Sequence, residues 1–375
     1  MKEVKEASES KRKRRDRWRR AEGVIMAIKD IESSPSLEEW RGLYESAIGF
    51  KEIRPWNWMW DSNLFGVQNP QDGEIGYCCV LGRGGEVFGL AVYLGTEGLE
   101  GYLRTQEGNA ESEDNDLLHS QRCLLVSFEE KKDLQKADLE VIKKLELRFK
   151  GKNAWPLFRS YQPGYYPWYL TNDEAKFLKI CLEQAKDVSL RFKKNPNLFE
   201  APQSQSFFVR VQKKSGAAQG WKDSWCKPAP LKRIVIMART TDEQRLQAII
   251  KESSRQRRVW EVDFFYAPAY IAEKGKRPYF PLALLFIDSN SYFILNGHIT
   301  TPHKYRLELY EQFLKTMEKT KIIPEEIWVR KEEMFFFLKS FSAPLGIKVR
   351  LVKRLKAVND VRKHMSNFFS KPRQY

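Results

Sequence analysis

Apolar positions along the chain fall into short runs separated by turn-forming residues. Residues 75–81 (IGYCCVL) and 86–94 (EVFGLAVYL) flank Gly82–Gly85, the pattern of a β-hairpin or meander. Strands are expected at 123–130 and 206–214, and helices at 96–106, 136–149 and 172–191. Residues 155–169 (WPLFRSYQPGYYPWY) hold too much Pro and Gly for a helix. After residue 230 the spacing becomes more regular. Strands are expected at 231–238, 259–271, 326–330 and 346–352, and an apolar hairpin, LLFIDSNSYFILNGHI, at 284–299. Helices fit 241–253, 305–319, 332–341 and 356–369. Ser36 with Glu39 and Thr241 with Gln244 have the spacing of capping boxes.

This alternation predicts an α/β fold (α+β mixed) in two domains, each a mixed sheet with helices. A basic helical arm would occupy 1–50 and an N-terminal α+β domain 51–214. A Gly- and Pro-bearing linker, SGAAQGWKDSWCKPAP, would span 215–230, and a C-terminal α/β domain 231–375.

Charge adds a partner class. The chain carries 65 Lys and Arg against 49 Asp and Glu, a net +16, which suits an anionic partner such as nucleic acid or an acidic protein. The densest run is KRKRRDRWRR. Lys11, Arg12, Lys13, Arg14, Arg15, Arg17, Arg19 and Arg20 would contact phosphates, and Trp18 would stack on a base. The bland alternative is a solvated arm that tunes solubility. No apolar stretch reaches the roughly 18 residues of a membrane span, so no membrane association is expected. Five cysteines without a CxxC pair suit a reducing compartment, and a cytoplasmic location is expected.

Trp56, Trp58 and Trp60 alternate, so an extended chain would place them on one face, as a ligand-stacking row or the lid of a core. Tyr161, Tyr165 and Trp168 lie in an aromatic loop around Arg159 and are possible ligand contacts. His298 and His303 with Asp288 are a weak metal constellation without HxxxH spacing, and neither a metal nor a cofactor is expected. LGRGGEV lacks a dinucleotide fingerprint and reads as a turn.

WEVDFFY from Trp260, RPYFP from Arg277, DSNLFGVQNP from Asp61 and GEIGYCCVLG from Gly73 together resemble an uncharacterised family of bacterial cytosolic proteins built from two domains of unknown function. The likeness covers most of the chain after residue 50 and implies no activity. The C-terminal part also resembles a degenerate ribonuclease-H-like fold, taking the Asp288 strand as its first. That resemblance implies carboxylates around two metals, with Asp288, Glu308 or Glu311, Glu332 and Asp360 at the matching positions.

Helix geometry argues against an intact site. If Leu307, Tyr310, Leu314 and Met317 face the sheet, Glu308 points away and Glu311 lies on the flank. Arg330 and Lys331 stand where an acid is wanted, and Asp288 in D-S-N-S fits a turn. The expectation is a non-enzymatic binding protein using its basic arm. The alternative is a metal-dependent hydrolase or nuclease with Asp288, Glu311 and Asp360 as catalytic candidates.

Overall fold

The computed structural model describes residues 34–106, 121–213, 220–230, 241–273 and 275–370. The basic run 11–20, His119 and the strand expected at 231–238 lie outside the described residues, as does the Thr241 side chain. Two compact units emerge: described residues up to 230 with 272–277 form one, and the remaining residues from 241 onward form the other.

The first unit opens with α1 (Leu37–Ile53), capped by the Ser36–Glu39 box expected from the sequence. Leu43, Tyr44, Ala47 and Phe50 recur every three or four residues along α1 and are buried. The helix is therefore part of this unit's core, which corrects the expectation of a basic arm reaching residue 50. There follow β1 (Phe65–Gln68), β2 (Ile75–Leu81), β3 (Gly89–Leu94), α2 (Gly95–Gln106), β4 (Cys123–Glu129) and α3 (Lys136–Lys144). β5 (Trp155–Tyr161), α4 (Asn172–Lys194), β6 (Phe207–Gln212) and β7 (Trp221–Cys226) complete it.

The sheet order is β5-β4-β3-β2-β1-β6-β7, antiparallel except for the parallel pair β1–β6. Period-two alternation sorts each strand between two cores. Cys78 and Val80 face α1 and α4, while Tyr77 and Cys79 face Leu99 and Tyr102 of α2. Gly89 has a local reason: a Cβ there would lie 2.1 Å from the Val126 carbonyl oxygen of the neighbouring strand.

Two segments differ from the sequence reading. The Pro-rich stretch from Trp155 begins with β5, which tolerates Pro156 because β5 is an edge strand. The expected linker 215–230 contains β7. Its pairing with β6 is reinforced by Asp223, which binds Arg191 and Arg210, and by Trp225 packed edge-on against Phe208.

The second unit contains α5 (Thr241–Glu252), β8 (Ser254–Tyr266), β9 (Leu282–Asp288), β10 (Ile294–Thr300), α6 (Tyr305–Thr320), β11 (Ile322–Val329), α7 (Glu332–Ser342), β12 (Lys348–Leu351) and α8 (Lys356–Ser370). The five strands run β10-β9-β8-β11-β12. The β8, β9 and β10 pairings are antiparallel; β11 is parallel to both β8 and β12. Trp260, Val262 and Phe264 of β8 face the core formed with α5, α6 and α7. Phe265 faces the opposite way, with Leu285 and Ile287, toward Leu355, Ala357 and Val358 at the start of α8.

Candidate functional site

Among the described residues β8 leads three antiparallel strands, so it is the first described strand of this sheet and β9 the second. The ribonuclease-H-like resemblance took a hairpin beginning with the Asp288 strand, followed by helix, strand, helix, strand and helix; the described order has one more antiparallel strand, β8, ahead of that hairpin. Asp288 therefore ends the second strand. The acids on the first strand are Glu261 and Asp263, only 2% and 1% exposed. They alternate with Trp260, Val262 and Phe264, so both project to the α8 face.

A carboxylate removed from water persists only where charge and hydrogen bonds replace its hydration. Glu261 is held at the start of α8: its Oε2 accepts the Val358 N–H at 3.0 Å and its Oε1 the Ser289 hydroxyl at 3.3 Å. It thus satisfies one of the backbone donors a helix start leaves unpaired. Asp263 faces the end of β11, where Lys331 Nζ lies 3.5 Å away and an Arg330 nitrogen 4.0 Å. Lys331 also donates to the Phe264 carbonyl and sits 3.9 Å above the Phe264 ring centroid. Two cations thus stand beside this carboxylate, the reverse of the surplus negative charge that hard divalent ions need.

Asp288 is 2% exposed, and its oxygens are engaged locally. Oδ1 accepts the Asn290 N–H at 3.1 Å and both the N–H and hydroxyl of Ser291 at 2.9 Å. Oδ2 accepts from Arg258 at 3.1 Å. Burial pushes this carboxyl up, but the Ser291 donors and the Arg258 guanidinium outweigh it and leave the pKa lowered. Asp288 and Trp260 are opposite one another in register, as are Ile287 and Glu261, so Asp288 projects to the face opposite Glu261 and Asp263.

The other sequence candidates separate too. On α6 the buried stripe is Leu309, Tyr310, Phe313, Leu314 and Met317, while Leu307 is 66% exposed. Anchoring the stripe on Leu307 turned the helix the wrong way. Glu308 does not point away from the sheet: its carboxylate meets His298 Nε2 of β10 at 2.7 Å. Desolvation pushes Glu308 up, yet Thr300 and His298 hold it below its ordinary value. Glu311 pairs with Arg245 at 2.8 Å and Lys315 at 3.4 Å. Glu332 is exposed in the first turn of α7. Asp360 is exposed on α8. His298 is opposite Leu284, four residues along β9 from Asp288, and His303 is exposed on the following turn. Among the described residues no group of three or more His, Cys, Asp or Glu could hold a metal ion.

In the first unit the tryptophans do not form a row. Arg54 takes a left-handed conformation and Pro55–Asn57 is a 3-10 turn, so the chain is not extended there. Trp56 is buried, and the Trp58 indole donates to the Ser189 carbonyl at 2.9 Å. Trp60 is 54% exposed beneath the Arg83 guanidinium, 4.3 Å from its ring centroid. Tyr161, Tyr165 and Trp168 are half-buried, and Trp168 is bridged by its backbone to Ser160. The loop's cation, Arg159, is not offered to a ligand: it is buried in a two-pronged pair with Asp138 at 2.7 and 2.9 Å.

Glu261, Asp263 and the Lys331 contact were missed in the sequence. Their signal was two acids at alternate positions inside an apolar strand, V-W-E-V-D-F-F.

Residues 40–210 match the model of a domain of unknown function, DUF7309, and residues 245–366 match that of a second, DUF6930. The two together span most of the chain. Among solved structures, the HTLV-2 integrase catalytic core domain in complex with magnesium aligns in its trimeric and dimeric forms. Each is 14% identical over 32% of this chain, covering 79% and 80% of that chain, with a TM-score of 0.21. A superposition this loose bears on neither fold nor chemistry. No curated protein matches the chain.

Proposed function

We propose that this chain is a non-enzymatic binding protein for an anionic partner, with nucleic acid the partner its charge fits best. The observation that carries this reading is the pair of cations beside Asp263. Arg330 and Lys331 stand at the end of β11 against the buried acid of β8. An ammonium and a guanidinium at that point offset the negative charge with which a site gathers divalent ions. The net charge of +16 and the run from Lys11 to Arg20 supply the attraction to phosphate. No helix among the described residues is long and apolar enough to cross a membrane. Five free cysteines, four of them buried, support a cytoplasmic location.

The test combines binding with cleavage. The full chain should bind labelled oligonucleotides with an affinity that falls steeply with salt, and replacing Lys11, Arg12, Lys13, Arg14 and Arg15 by Gln should weaken it. Incubation with Mg²⁺ or Mn²⁺ should leave the oligonucleotide intact. Metal-dependent cleavage lost in Asp263→Asn would replace this reading with the hydrolase.

A further inference from the structure

Among the described residues, one face of the second unit's sheet is only partly covered. α8 lies over β8 and β9, burying Phe265, Ala283, Leu285 and Ile287. Beyond it, on the same face, the register aligns Glu261, Trp328 and Arg350 across β8, β11 and β12, with Glu326 beside Lys348 two pairs away. Trp328 is half-buried, with one side against the α8 cluster and its indole nitrogen donating to Glu326 at 3.0 Å. Arg350 reaches Glu326 at 2.6 Å while remaining 58% exposed.

From this edge the chain runs K-V-R-L-V-K-R-L-K, placing Lys348, Arg350, Lys353, Arg354 and Lys356 in nine residues with no acid among them. Lys348, Lys353 and Lys356 are exposed. Neither Lys353 nor Lys356 has a carboxylate within salt-bridge distance among the described residues. The acids nearby include Glu261, in register with Trp328 but engaged by Val358 and Ser289, Glu326, already shared between Arg350 and Trp328, and Asp360, one turn after Lys356.

Cations on an edge strand have a plainer use, since they deter pairing with another sheet. That accounts for Lys348 and Arg350. It does not account for Lys353 and Lys356, which lie past the strand, nor for an indole on the open face one strand in. An aromatic platform flanked by cations is instead the arrangement that accepts a single strand, with bases stacked on the ring and phosphates on the lysines.

We propose that this open face binds single-stranded nucleic acid, with Trp328 as the stacking platform and Lys348, Arg350, Lys353 and Lys356 as phosphate contacts. The proposal rests on the reading of the chain as a nucleic-acid-binding protein and adds a second site to the N-terminal run.

Fluorescence anisotropy with a labelled oligothymidylate, which forms no duplex, tests it in the full chain across a salt series. The Lys11-to-Arg15 glutamine variant should retain measurable binding. Adding Lys348→Gln, Lys353→Gln and Lys356→Gln should weaken that remainder by about tenfold or more and reduce its salt slope by about 2, at roughly 0.7 per phosphate contact. These lysines are exposed, so circular dichroism should be unchanged. Trp328→Leu should weaken binding without altering the slope, since it removes stacking and no charge. Binding that vanishes with the N-terminal run alone overturns the second site and leaves the functional reading standing. So does binding that ignores the three lysines. Equal affinity for polyglutamate overturns nucleic acid as the occupant. No binding of any oligonucleotide by the unaltered chain at low salt overturns both.

Discussion

The ammonium of Lys331 lies 3.5 Å from the buried carboxylate of Asp263, joining the end of β11 to the C-terminal part of β8. Asp263 is 1% exposed and has little water to fall back on. Removing the cation should therefore cost more than the pair contributes. Lys331→Met is expected to destabilise the protein by about 2–4 kcal/mol. Asp263→Asn in the same chain should recover part of that loss. Urea unfolding of the two single variants and the double variant measures the coupling, and strict additivity would remove the pair from the account.

Asp288 predicts a pH dependence with a definite sign. Its folded pKa lies below the ordinary 3.8, so its stabilisation is complete above the unfolded pKa and is lost as pH falls through the folded one. Asp288→Asn should flatten this acid limb below about pH 4 and cost under about 1 kcal/mol at neutral pH, since the amide oxygen still accepts the turn N–H groups. Asp288→Ala, which loses three hydrogen bonds to Oδ1, should cost about 1–3 kcal/mol. Thermal melts between pH 3 and 7 separate the three proteins.

Glu261 predicts a local effect. Glu261→Ala leaves the Val358 N–H without its acceptor in a buried place, at a cost of about 1–3 kcal/mol. Hydrogen exchange at Val358 and its helical neighbours should accelerate more than exchange in α6. Glu261→Gln, which keeps an oxygen acceptor, should recover most of the protection.

The three tryptophans should respond in order of burial. Trp56→Ala empties a core site and should cost about 3–5 kcal/mol. Trp60→Ala gives up a solvent-facing ring and its contact with Arg83, which together contribute less than about 1 kcal/mol. Similar losses at both positions would contradict the non-extended path around Pro55.

Much of the fold was legible because local pattern suffices for it. β2 is the run IGYCCVL to the residue, and α1 starts at the box its sequence announces. The sites were not legible, because their partners are remote. Glu261 depends on Val358 and Asp263 on Lys331, and no window around β8 contains either partner. Acids within V-W-E-V-D-F-F look like interruptions until the sheet pairs, so Asp288, with its own turn donors two and three residues away, drew the eye instead. For Glu308 the error came from Leu307. A leucine in the first turn of α6 looks like core, yet that turn leaves it in solvent, and the true stripe begins at Leu309.

The parallel pair β1–β6 sets a timetable for the first unit. Gly66 must finish beside Val209, and β2 to β5 can assemble on the other side of β1 long before β6 exists. At about 5–20 residues per second of synthesis, Phe65–Gln68 waits on the order of ten seconds with one strand edge unpaired. The newborn chain is then most exposed to sticking, and its cure is the arrival of β6 with β7 as its cover. A truncation at residue 210, where the DUF7309 match ends, cuts β6 short and removes β7 altogether. Such a fragment would keep that vulnerable edge for life, whereas one extended past Cys226 would outgrow it.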